Sequence, residues 1–111
     1  MGGEVIDERM NHARLERGRW EIIRILHVGG RLGATETMMV TTLLAMWPQT
    51  TRDWIRDQLT YLEDRKLVKV ERHAIKDWRA TLSHHGVDLA TYVSDCQPGI
   101  DRPAKYWGDA E

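Results

Sequence analysis

The chain reads as a mainly α-helical domain carrying one small β-hairpin, and three observations lead there. Ile55, Leu59 and Leu62 recur at spacings of four and three, which puts them on one face of a helix. Directly behind the charged run Glu63-Asp64-Arg65-Lys66 the apolar period drops to two. Leu67-Val68-Lys69-Val70-Glu71-Arg72 and Trp78-Arg79-Ala80-Thr81-Leu82 then flank a turn-like Ala74-Ile75-Lys76-Asp77. Finally, 111 residues at 41% hydrophobic can bury one core but not two. The expected division is a domain over residues 1–96, with N-terminal and C-terminal helices, and an extended tail over 97–111.

The first helix is expected over Asp7 to Val28, with Leu15, Ile22, Ile23 and Leu26 on one face and Arg14, Arg17, Arg19 and Arg24 off it. Gly18 is a point where it could break in two, and Gly29-Gly30 should end it, because glycine takes the left-handed conformation of a C-cap. Thr35 can cap a second helix that runs to Met46 or Trp47 and presents Met38, Met39, Val40, Leu43 and Leu44. Pro48 stops it, since the residue before a proline is pushed out of the α region. Thr50 or Thr51 caps the third helix, and Thr50 with Asp53 has the spacing of an acidic capping box. Leu59 and Leu62 are expected beneath the first helix and the hairpin. In the hairpin, alternation sends Val68, Val70, Trp78, Ala80 and Leu82 to the core and Lys69, Arg72, Arg79 and Thr81 outward. Ser83 caps a last helix to about Ser94, with Val87, Ala90 and Val93 on one side. Pro98, Gly99 and Pro103 keep the tail from being helical, and its Ile100, Tyr106 and Trp107 are apolar enough to pack, with Trp107 as the anchor.

Composition narrows the function classes. Sixteen basic residues face 17 acidic ones, so the chain is no general nucleic-acid coat and any contact with DNA must come from a local patch. No window approaches the length of a membrane span, and Met1-Gly2-Gly3-Glu4 lacks the basic and apolar parts of a signal peptide. With Cys96 as the single cysteine no intrachain disulfide forms, and a cytoplasmic location is expected. No metal site is expected: His84-His85 point about 100° apart on a helix, and neither H-x-x-x-H nor C-x-x-C occurs. No nucleophile with an activating partner and no phosphate-loop glycine spacing is visible, so neither an enzyme nor a cofactor is expected.

The order helix, helix, helix, hairpin, helix, with Ile55, Leu59, Leu62, Glu63, Leu67, Val68 and then Trp78-Arg79-Ala80-Thr81-Leu82-Ser83-x-x-Gly86, resembles winged helix-turn-helix regulators of the ArsR and MarR type over roughly residues 12 to 95. Together with Asp95-Cys96-Gln97-Pro98-Gly99-Ile100 and Arg102-Pro103-x-Lys105-Tyr106-Trp107, it also looks like small winged-helix proteins of Mu-like phages and prophages. The resemblance implies a homodimeric transcriptional regulator that puts its third helix into a duplex. Lys66 departs from it, standing where such regulators carry glycine.

On this reading double-stranded DNA meets Thr51, Arg52 and Arg56 on the third helix and Lys69, Arg72, Lys76 and Arg79 on the hairpin. Eight of the 16 basic residues fall within 51–82, but six carboxylates share that window. Asp53 and Asp57 oppose phosphate unless arginines pair with them or they accept from cytosine amino groups. The alternative is a protein-interaction module on the same scaffold, docking through Trp54, Tyr61, Tyr106 and Trp107. Trp20, Trp47 and Trp78 are assigned to the core, as are Met38, Met39 and Met46.

Overall fold

A computed structural model describes residues 2–105, with side chains from residue 12 onward. Helix α1 (Gly2–Gly29) leads through a 3-10 turn at Gly30–Leu32 to the short strand β1 (Ala34–Thr35), followed by α2 (Glu36–Leu44) and α3 (Arg52–Asp64). The hairpin β2 (Val68–Glu71) and β3 (Arg79–Leu82) comes next, then α4 (His84–Ala90). The three strands form one antiparallel sheet in the order β1-β3-β2, with Ala34 opposite Ala80 and Val70 opposite Ala80 on its other side. The described chain is thus mainly helical with a small sheet. None of its helices is long and apolar enough to cross a membrane.

The caps follow the side-chain chemistry. Thr35, Thr51 and Ser83 each sit in an extended conformation and accept a hydrogen bond from the backbone N–H three residues on, at Met38, Trp54 and Gly86. The capping box expected from Thr50 and Asp53 does not form, because the Thr50 hydroxyl donates back to the Trp47 carbonyl at 2.7 Å. Gly30, at φ +59°, ends α1 as expected.

Gly18 does not break α1, which is continuous to Gly29. The glycine serves a close approach instead: a Cβ there would lie 2.5 Å from Cη2 of Trp54, so α1 gives way to the tryptophan ring of α3. Lys66 has φ +63°, and the Lys66 and Leu67 N–H groups donate to Glu63 and Leu62. That is a Schellman ending of α3 built on a lysine, at the position where the resembled regulators use glycine.

The core unites α1 (Trp20, Ile22, Ile23, Leu26), α2 (Met39, Leu43), α3 (Ile55, Leu59, Leu62), the sheet (Ala34, Val68, Ala80), Leu67, Leu89 and Ile100. Trp47 and Trp78 are half-buried against it. Two expectations are overturned. Met38 and Met46 are exposed, and with Ile25 and Val28 they line an apolar groove of about 510 Å³ between α1 and α2; only Met39 is core. In the last helix, Val87 is 40% and Val93 74% exposed, while Leu89 is buried. The expected face presumed helix to Ser94. Tyr92 turns left-handed at φ +63° and ends the helix early, with its ring edge-on to Trp20 at 6.0 Å.

Beyond α4 the chain has no regular structure to Lys105 but is packed on the domain. Ile100 enters the core, Asp101 N–H donates to the Glu16 carbonyl at 3.0 Å, and Arg102 donates to the Leu89 and Ser94 carbonyls at 2.9 Å each. Within the described residues the anchor is Ile100; Tyr106 and Trp107 lie outside them.

Candidate nucleic-acid interface

The N-terminal turns of α2 and α3 and the hairpin turn meet around one carboxylate. Glu36 opens α2 directly after its Thr35 cap and is fully buried. Its oxygens accept from Arg56 Nε at 2.6 Å and Nη2 at 2.7 Å, and from the Trp78 backbone N–H at 3.0 Å; Arg52 Nη1 stands 3.1 Å away. Its own backbone N–H donates to the Trp78 carbonyl at 2.9 Å. A charge at 0% exposure persists because four donors converge on it. Hydrogen bonds from Arg56, foremost, hold its carboxyl below the ordinary 4.5, against the upward push of burial.

The network spreads outward from there. Arg52 also meets Asp77 Oδ1 at 2.5 Å and Thr37 Oγ1 at 3.2 Å. Thr37, then Arg52, hold the Asp77 carboxyl below its usual range. Arg72 grips Glu63 with both terminal nitrogens, at 2.8 and 3.0 Å, and lowers that carboxyl as well. The guanidinium groups of Arg56 and Arg72 lie 4.5 and 4.7 Å from the centroid of the Trp78 ring. These pairings raise the pKa of all three arginines, chiefly through Asp77, Glu36 and Glu63 in turn, so they stay charged throughout.

The seven residues expected to meet DNA are therefore not on one surface. Arg52 and Arg56 gather at Glu36, Arg56 and Arg72 at the Trp78 ring, Thr51 caps α3, and Lys76 sits exposed in the hairpin turn beside Asp77. Lys69 and Arg79 occupy the opposite sheet face, where Arg79 donates to the Leu32 carbonyl at 2.7 Å. The outward set Lys69, Arg72, Arg79 and Thr81 is corrected in one member. Arg72 lies an odd number of residues from Lys69, so alternation sends it to the α3 side.

The gathered arginines remain partly open, with 47%, 34% and 39% of the side chains of Arg52, Arg56 and Arg72 exposed. Asp53 and Asp57 are exposed on α3 and, among the described residues, their carboxylates form no hydrogen bond or ion pair. Their neighbours Arg52 and Arg56 have turned inward to Glu36.

The interface candidates within reach of description are spoken for. Trp54 is half-buried over Gly18, and the Tyr61 ring lies between Arg19 and Arg65, 3.6 and 4.7 Å from their guanidinium carbons. Sequence reasoning missed Glu36, Glu63 and Asp77 as organisers of the site. A glutamate in the first turn of a helix looks like an ordinary dipole partner, and nothing local says that two arginines and a tryptophan backbone will close over it. Comparison with protein-family models, with curated proteins and with solved structures finds no match to this chain.

Proposed function

We propose that the chain is a winged helix that binds double-stranded DNA in a sequence-specific manner as a homodimer, with α3 in the major groove and the hairpin turn against the flanking backbone. One observation carries the reading. Glu36 ties the start of α3 to the hairpin turn, so the two elements a duplex would meet are fixed relative to each other, with Arg52, Arg56 and Arg72 at the seam. The element order α1, β1, α2, α3, β2, β3 and the strand order β1-β3-β2 fit a winged helix. Each guanidinium carries five donors and keeps some of them unused after its internal pairing.

The unpaired Asp53 and Asp57 shape the kind of binding. They disfavour phosphate, so non-specific affinity is low and recognition rests on base edges, with cytosine amino groups as the natural partners of carboxylates. Transcriptional regulation, in a phage or prophage setting, is what the resemblance adds to this.

The test is selection of duplexes from a random pool by the purified chain at near-physiological salt. Enrichment of a palindrome containing G·C pairs is expected. Lys76→Ala, which touches nothing internal, should lower the slope of log affinity against log salt by about one phosphate contact. Absence of any enriched sequence overturns the reading.

A further inference from the structure

Where the sheet meets the end of α1 and α4 there is a second surface. The end of α1, the turn after it, the hairpin and α4 enclose a cleft of about 590 Å³. Its floor is apolar, made by Leu82 and Val87 over the buried Leu26, and its rim carries His27, Arg31 and Lys69. No carboxylate lines it. Among the described residues, the side chains of Arg31 and Lys69 have neither a hydrogen-bond nor an ion-pair partner, unlike the arginines around Glu36. Glu71, the acid two residues along β2 from Lys69, lies 3.7 Å from His73.

In a chain whose acids outnumber its bases, an acid-free cleft with two unpaired cations selects for a negative partner. The apolar floor then decides its class. Phosphates of a duplex have nothing to place on Leu82 and Val87, whereas a peptide can bury apolar side chains there while its carboxylates meet Arg31 and Lys69.

We propose that this cleft docks an acidic peptide segment of a partner protein, one that interleaves Asp or Glu with large apolar residues. The site shares no residue with the proposed DNA contact at Arg52, Arg56, Arg72 and Lys76. A DNA-bound chain could hold such a partner at the same time.

The experiment is selection from a display library of short random peptides on the full chain, followed by NMR mapping of a selected peptide. Acidic peptides with apolar residues should be enriched, and the shifts should centre on Leu26, Lys69, Thr81 and Val87. Lys69→Glu and Arg31→Glu, both at exposed unpaired positions, should weaken the peptide by about tenfold or more, while Lys76→Glu on the far side leaves it unchanged. Enrichment of neutral or basic peptides, no enrichment above a mock selection, or shifts confined to the groove between α1 and α2 would each overturn the proposal. So would duplex DNA that shifts the same residues and displaces the peptide, which would mark the cleft as a nucleic-acid surface.

Discussion

Replacing Glu36 by alanine tests whether one carboxylate organises the site. The substitution leaves the Trp78 N–H without its 3.0 Å acceptor, and an unsatisfied buried donor costs roughly 1–3 kcal/mol. Arg56 loses two bonds, but with 34% of its side chain exposed it turns to water, so that part of the loss is small. The expected destabilisation is about 1–3 kcal/mol, measured by urea unfolding followed through tryptophan fluorescence. Glu36→Gln should lose less, because its carbonyl can still accept from Trp78, although its amide hydrogens then face the donors of Arg52 and Arg56. A loss below about half a kcal/mol for the alanine variant, the range of an ordinary surface change, would refute the reasoning. So would a glutamine variant less stable than the alanine one.

Three further outcomes follow from the packing and charge. Gly18→Ala should destabilise by about 1–2 kcal/mol despite the better helix propensity of alanine, because the new Cβ meets Trp54; a double-mutant cycle with Trp54→Ala should recover most of the loss. Lys66→Gly should stabilise by roughly 0.5–1 kcal/mol in the same urea assay, since the left-handed backbone at φ +63° is strained for lysine. Glu36, Glu63 and Asp77 all have carboxyls held below their ordinary values of 4.5 and 3.8, so their contribution is complete above those values and is lost as pH falls beneath them; unfolding midpoints should drop below about pH 4.5, and less steeply in Glu36→Gln.

What the sequence disclosed was whatever local chemistry decides. Three helix starts were readable because a hydroxyl stands three residues before an N–H that needs an acceptor, and Leu59 and Leu62 because helical spacing puts them on one face. β1 was not readable, since a two-residue strand has no period to detect and exists only because β3 is there to pair with it. Val87 and Val93 were misassigned for a related reason: a helical projection is valid only while the helix lasts, and it ends at the left-handed Tyr92, whose ring packs on Trp20 far away in the chain. The six basic residues and Thr51 were grouped by their closeness in sequence. Strand parity already separated Lys69 from Arg72, but the inward turn of Arg52 and Arg56 depends on a buried acid from another helix.

The docking of Ile100 bears on how the chain folds as it is made. Arg19 donates to the Gly99 carbonyl across 80 positions, and Ile100 fills a place in a core otherwise supplied by residues up to Leu89. A nascent chain emerges N-terminus first, so the residues of α1, the sheet and α4 are made available before Ile100 is. The segment from Gly99 to Arg102 then closes over α1 and the end of α4 as a late step. An intermediate lacking it leaves the place of Ile100 in the core open, and aggregation should be greatest in that interval.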